Sequence, residues 1–234
     1  MKKYFILMGD VISSRTHNAN ILNKDLNMVI ENANIVFEKF ILSHLEITIG
    51  DEFQCVMDDI SSILELMYYL DISLLYFNIK CRFAIGYGNI EGNINSSSAY
   101  NMLGTGLTYT HELLNNKNNK NKYRFFIQED IIKEVSLNII GQLLDDIQSS
   151  ITEKQIQFLY YKIIKKYNNK EIEIKMNIKE RNVYRYNKKS KDKLIREVFT
   201  QICLLFRKED SNLKNQYYKI HRIPNSMIKE IYEL

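Results

Sequence analysis

Two stretches of this chain place carboxylates where they can do chemistry. The apolar run Tyr4-Phe5-Ile6-Leu7-Met8 ends in Gly9-Asp10, and the run Leu45 to Ile49 ends in Gly50-Asp51-Glu52. Carboxylates at the ends of neighbouring strands repel each other unless a cation lies between them. Mg²⁺ or Mn²⁺ suits that position, because it takes one or two carboxylates and keeps its other places for substrate phosphates. A metal held this way stabilises the attacking and leaving oxygens of phosphoryl transfer. Gly-Asp is also ordinary turn chemistry, so either pair alone signifies a turn. The two together, each after an apolar strand, make Asp10 and Asp51 the candidate metal ligands.

Hydrophobic periodicity supplies the elements that must position them. Leu45, Ile47 and Ile49 alternate with Glu46 and Thr48, and Phe53, Cys55 and Met57 alternate after the Gly-Asp pair. Two strands joined by a tight turn read this way, with Gly50 able to take a positive φ. Residues 20–42 predict a long amphipathic helix carrying Leu22, Leu26, Val29, Ile30, Ala33, Val36, Phe37 and Phe40 on one face. The loop before it, Val11-Ile12-Ser13-Ser14-Arg15-Thr16, offers free amides to phosphates as helix N-termini do. Arg15 adds a bidentate phosphate donor. A helix follows from Ile60, with Asp58 and Asp59 at its start as caps. A strand over residues 80–87, a helix over 99–114, an exposed Asn/Lys-rich loop over 115–122 and a short edge strand Tyr123 to Ile127 complete the front half. The expected fold class is α+β, with a mainly antiparallel sheet in a ferredoxin-like or palm arrangement.

Gly9-Asp10-Val11-Ile12-Ser13-Ser14-Arg15 followed by Gly50-Asp51-Glu52-Phe53-Gln54 resembles the SatD family of bacterial proteins. The same motifs are similar to the metal sites of class III nucleotide cyclases and GGDEF diguanylate cyclases. Ile49-Gly50-Asp51-Glu52-Phe53 differs from the GGDEF signature at its first position alone. Ile85-Gly86-Tyr87-Gly88-Asn89-Ile90 and Leu103-Gly104-Thr105-Gly106-Leu107-Thr108-Tyr109 resemble the strand-turn and helix start that follow the metal hairpin in cyclases. The resemblance covers roughly residues 1 to 130. It implies Mg or Mn on Asp10, Asp51 and the carbonyl of Val11, with Glu52 as a supporting group or base. It also implies a nucleoside triphosphate, or another nucleotide, on Ser13, Ser14, Arg15 and Gly50. Departures are visible. The purine-selecting lysine of the cyclases falls at Ile47, and their transition-state Asn and Arg fall at Thr108 and Glu112.

The back half differs in charge. Residues 1–150 carry 12 Lys and Arg against 18 Asp and Glu (net −6), and residues 151–234 carry 20 against 10 (net +10). Such asymmetry suggests two domains with different partners, expected at residues 1–135 (palm) and 136–234 (all-helical). Thr152 opens a helix that Gln155 can close into a capping box. A short helix over 170–175, a break at Met176-Asn177-Ile178 and a third helix from Lys179 resemble the helix-turn-helix of sigma-factor region four. Arg181, Asn182, Arg185, Lys188 and Lys189 would face duplex DNA, with Arg and Asn reading base edges and Lys meeting phosphate. Asn177 stands where many such motifs have Gly, and Asn tolerates left-handed geometry. Residues 190–206 predict a further amphipathic helix. The tail from Gln216 could pack on the core or on a second subunit, so a homodimer is an open possibility.

No apolar run approaches the ~20 residues that span a bilayer, and the three cysteines, Cys55, Cys81 and Cys203, are spaced for neither disulfides nor zinc. A cytoplasmic protein without a membrane partner is expected. The expected function is a nucleotide-responsive regulator, or a nucleotidyl cyclase or transferase, coupled to a DNA-binding helix-turn-helix. The alternative is a transcription regulator whose palm is structural and binds no nucleotide.

Overall fold

A computed structural model describes residues 2–206; the expectations for the tail from Gln216 lie outside them. Five strands form one sheet: β1 (Lys3–Val11), β2 (Ile41–Ile47), β3 (Glu52–Met57), β4 (Cys81–Asn89) and β5 (Tyr123–Ile127), in the order β2-β3-β1-β4-β5. All neighbours are antiparallel except β4 and β5. The fold class is mixed α+β, as the sequence predicts. β1 is central and covered on both faces, so Phe5, Ile6, Leu7 and Met8 are all buried in one uninterrupted apolar run. Its Gly9-Asp10 lies inside the strand rather than beyond it, because the ladder runs on to Val11 opposite Cys81.

Phe5, Leu7 and Val11 point to one face, under helices α1 (Ala19–Phe37) and α2 (Ile60–Tyr76). Ile6 and Met8 point to the other, under α3 (Thr105–Asn115). Helix α1 stops at Phe37 and not at residue 42, since β2 needs residues from Ile41 to pair with Met57; Phe40 is accordingly exposed. Helix α3 begins at Thr105, and residues 99–104 form turns instead of its predicted first turn. A Cβ on Gly88 would lie 2.7 Å from the Cα of Gly106. The glycine-rich third motif therefore lets α3 lie directly on β4. Asp59 caps α2 by accepting from the Ser62 amide at 2.7 Å, as expected.

Helix α4 (Ile131–Ser149) has no counterpart in the sequence expectations. Its exposed side carries Ile132, Val135, Ile139 and Leu143, so the polar-apolar contrast that announces a surface helix is missing. It covers the open edge of β5. Asn138 accepts from the Phe125 amide at 3.0 Å and donates to the Phe125 carbonyl at 2.7 Å, and Glu134 accepts from the Ile127 amide at 2.9 Å. An edge strand is thereby closed by side chains in place of a sixth strand.

Helices α5 (Glu153–Leu159), α6 (Asn169–Met176), α7 (Glu180–Lys189) and α8 (Asp192–Leu205) follow, with a π-helical turn at Tyr160–Ile164 after α5. The Thr152–Gln155 capping box is present; the Gln155 side-chain Oε1 accepts from the Thr152 amide at 2.8 Å. Asn177 is left-handed (φ 49°) between α6 and α7. A second left-handed residue, Lys191 (φ 61°), breaks the predicted 190–206 helix from α7. The buried Ile156, Phe158, Ile172, Val183, Ile195 and Phe199 belong to the same continuous cluster as α2 and the sheet. The helices after β5 thus share the core on the α2 face of the sheet, and the expected boundary at 135/136 falls within α4.

The loop expected over residues 115–122 begins after Asn115, the last residue of α3, and is held from inside. Arg124 on β5 is 2% exposed. Its guanidinium donates to the carbonyls of Leu113 (2.7 Å), Leu114 (2.6 Å), Asn119 and Asn121 (2.9 Å). These are the unpaired carbonyls of the α3 C-terminus and the turns after it, which a cation stabilises. Arg124→Met should strand several buried acceptors and cost at least about 3 kcal/mol. Urea denaturation of the purified chain measures this.

Candidate functional site

The register of β1 assembles the site. Asp10 lies directly opposite Glu52 on β3 and opposite Arg82 on β4. All three side chains sit on the sheet face that carries α3. The preceding residue must be glycine: a Cβ at Gly9 would lie 2.2 Å from the ring of Phe53, which crosses the strand there. The turn between β2 and β3 is closed by the Thr48 amide on the Glu52 carbonyl (2.8 Å) and the Glu52 amide on the Ile49 carbonyl (3.0 Å). Gly50 has the expected positive φ, 64°. Ile49 does not continue the buried alternation; it lies in this turn and is exposed.

Asp10 feels the charges of Asp51 and Glu52 and has Arg82 as its close cation. Arg82 Nε lies 2.8 Å from Asp10 Oδ2. The N–H is not aligned as a hydrogen bond, so the contact is chiefly Coulombic. Burial pushes the Asp10 carboxyl above its ordinary range; Arg82 pulls it back, and Asp51 and Glu52 push it further up. Like charges directly opposite on adjacent strands are unfavourable. Asp51 Oδ2 is buried with no hydrogen-bond partner among the described residues. Orphaned buried oxygens of this kind call for an explanation.

Among the described residues no set of three His, Cys, Asp or Glu side chains gathers as a ready-made metal cage. The donor set nevertheless fits Mg²⁺ or Mn²⁺, which needs few protein ligands. Asp51 has a free oxygen, and Arg82 occupies one Asp10 oxygen and leaves the other.

The loop after β1 is built around Ser13, which is left-handed (φ 58°). Its carbonyl accepts from the Thr16 amide (2.9 Å) and hydroxyl (2.8 Å). The amides of Ser13, Ser14 and Arg15 have no acceptor among the described residues. Ser13 and Arg15 are exposed, as is Gly50 across the site. Successive unpaired amides at a left-handed residue form an anion-binding concavity.

Two side chains at this site escaped the sequence reading. Arg82 was taken as one residue of an alternating strand; the β1–β4 register was the missing fact. His111 on α3 reaches Glu52, with Nε2 3.4 Å from Oε2. One turn of α3 thus carries Thr108, His111 and Glu112, all exposed. Neither Thr108 nor Glu112 supplies a cation beside the carboxylates.

On α7, Arg181, Arg185, Lys188 and Lys189 are exposed, Asn182 is half-buried, and Val183 is buried beneath. Arg181, Tyr184, Arg185 and Lys188 form one surface stripe. Helix α8 is tied to α2 by charge: Arg196 donates to both oxygens of Glu65 (2.7 and 2.6 Å) and to Asp192 (3.0 Å). Lys162 bridges Asp192 (2.9 Å) and Asn187 on α7 (2.8 Å).

The model of the SatD family matches residues 4–205. The chain belongs to the SatD family. No curated protein matches it. Among solved structures it is similar to a bacterial light-regulated adenylyl cyclase, at 13% identity and a TM-score of 0.40, over 53% of this chain and 42% of that one. The catalytic core of a rhodopsin-guanylyl cyclase in complex with ATPαS is similar at 11% identity and TM-score 0.32, over 48% and 73%. The dimeric guanylyl cyclase domain of the RhoGC fusion protein from the aquatic fungus Blastocladiella emersonii is similar at 15% identity and TM-score 0.33, over 48% and 74%. This SatD-family chain spans less than half the length of the adenylyl cyclase it matches. Among the described residues no helix is long and apolar enough to cross a membrane.

The raised Asp10 pKa makes a signed prediction. Its carboxylate is disfavoured in the fold, so the penalty is full above its folded pKa. As pH falls towards the ordinary value of 3.8, the folded protein takes up this proton first and the penalty is relieved. Asp10→Asn should therefore melt higher than the unaltered chain at pH 7 in EDTA. That advantage should shrink as pH falls towards 4. Paired thermal melts across this range measure both effects.

Proposed function

We propose that the open end of β1 is a divalent-metal and nucleotide site, and that its occupancy is reported to a DNA-binding helix-turn-helix formed by α6 and α7. The observation that carries this reading is the buried, unpartnered Asp51 Oδ2 beside the strained carboxylate of Asp10. Asp10, Asp51 and the Val11 carbonyl would hold Mg²⁺ or Mn²⁺, which when bound neutralises phosphate charge and activates a phosphoryl centre. The free amides of Ser13, Ser14 and Arg15, with the Arg15 guanidinium, would bind the phosphates, and Gly50 leaves room for them at the hairpin. Glu52, paired with His111, is the group that would take a proton from an attacking hydroxyl.

Turnover and sensing make different demands on these residues. A cyclase or nucleotidyltransferase needs a cation at the developing charge. Ile47, Thr108 and Glu112 supply none, so a nucleotide-responsive regulator is the form of the proposal we favour. The functional division proposed is residues 1–135 for the nucleotide and 136–234 for DNA, within a cytoplasmic protein. A homodimer would present two copies of α7 to a two-fold DNA site. The Arg196–Glu65 pair and the stacked rings of Tyr76 and Tyr160, 3.7 Å apart, join the two parts rigidly enough to carry a signal. A second reading rests on Arg82. Because it already neutralises Asp10 in part, a metal-free palm serving the DNA-binding helices structurally is the rival.

Incubation with each nucleoside triphosphate and Mn²⁺, with product analysis and DNA binding in the same mixtures, separates these readings. One nucleotide should bind in a Mn²⁺-dependent way, be lost in Asp51→Ala and change DNA affinity by about 5- to 150-fold. A cyclic or linked product lost in Asp51→Ala would establish an enzyme instead. Absence of nucleotide binding would leave the metal-free regulator. For the DNA face, Arg185→Ala should weaken duplex binding, and the affinity of the unaltered chain should fall steeply with salt. Electrophoretic titration across salt concentrations measures this; salt-independent binding or none would remove DNA as a partner.

A further inference from the structure

A second site opens on the other side of Arg82. A cleft of about 1250 Å³ lies between the start of β4, the loop over 117–122, the end of α4 and the first turns of α5. Small-ligand pockets occupy about 300–1,000 Å³, so this one takes a nucleotide-sized molecule with room for water. Its wall is basic. Lys80, Lys117 and Lys154 line it and pair with no carboxylate among the described residues. Among the described residues, Asp145 and Glu153 are the only acidic ones in its lining.

The cleft also holds an unmet hydrogen-bonding demand. Gln148 is 5% exposed and lines it. Its carbonyl oxygen accepts from Lys122 Nζ at 3.1 Å, which fixes which end of the amide is the donor. Its Nε2 is buried and has no partner among the described residues. Lys122 is itself committed to the buried Asp71, at 2.8 Å, so it cannot swing away to free the amide. A buried amide donor in the wall of a cleft asks for an acceptor.

We infer that this cleft binds a small phosphorylated anion, held by Lys80, Lys154 and the Gln148 amide, all of which line it. The ligand is small and not a nucleic-acid duplex, because the donor it must satisfy is buried and out of reach of a rigid double helix. The site adjoins the proposed metal site at two places: Arg82, which pairs with Asp10, lines the cleft, and so does Ile12, between Val11 and Ser13. A ligand here would touch β4 and α5 together, so it would brace the sheet against the basic helices.

The test uses the full chain, inorganic tripolyphosphate as the probe and EDTA throughout, followed by isothermal titration calorimetry. One saturable site is expected. Lys80→Ala with Lys154→Ala should weaken it by about tenfold or more, and Gln148→Met by about tenfold, as losing hydrogen bonds to a charged group requires. Asp51→Asn should leave tripolyphosphate binding unchanged, and the lysine variant should keep any Mn²⁺-dependent nucleotide binding; failure of one site is thereby distinguished from failure of the other. No saturable binding would overturn the proposal. So would binding unaffected by the lysine pair, lost in Asp51→Asn, or displaced by a short DNA duplex at equal phosphate concentration.

Discussion

The antiparallel register of β1 between β3 and β4 is the constraint on which the site depends. It sets Glu52, Asp10 and Arg82 in one row across three strands. Two of these charges are alike and adjacent, an arrangement that costs energy wherever water is excluded. The fold accepts it because the same strand supplies Phe5, Ile6, Leu7 and Met8 to both halves of the core. A one-residue slip would exchange every side chain between the two faces. It would bury Asp10 under α1 and α2, so the apolar pattern that stabilises the sheet also holds the charges in place.

The rest of the sheet is finished with polar side chains placed where backbone groups would otherwise be stranded. Asn138 and Glu134 complete β5, and Arg124 satisfies the end of α3. Asp71, the buried charge in the largely apolar α2, accepts from Tyr123 at 2.5 Å while pairing with Lys122. Each of these groups sits at the β4–β5 end of the sheet. That end must serve two layers of helices at once, and side chains there replace the backbone partners that more strands would have provided.

The helices after β5 extend this core instead of founding another. Apolar residues of α5 to α8 pack into the cluster that contains α2, and the Arg196–Asp192–Lys162 chain of charges runs from α2 towards α7. A helix-turn-helix mounted on a flexible linker would have to be coupled to a distant site by other means. Here the supporting helix of the sheet is also the supporting helix of the basic unit, so the proposed signal has a continuous packed route. The basic cleft lies on that route, at the seam between β4 and α5.

The sequence by itself determined the strands, the Gly50-Asp51 turn, the capping box at Thr152 and the left-handed turn at Asn177. These are local matters, decided by side-chain alternation, by glycine and asparagine geometry and by hydrogen bonds within a few residues. It also determined membership of the SatD family, since those motifs keep their order. Helix α4 was not legible, because it is apolar on its outer face as well as its inner one and covers an edge that no single segment reveals. The end of α1 was not legible either, since Phe40 fits a helical stripe equally well and only pairing with β3 pulls the following residues into β2. Arg82, His111, Arg124 and Gln148 acquired their roles solely through contacts between segments far apart in the chain. An isolated arginine in an alternating strand carries no sign of which carboxylate or carbonyl it will meet; strand register and helix packing decide that, because they bring the unpaired charges and the unpaired backbone groups to the same place.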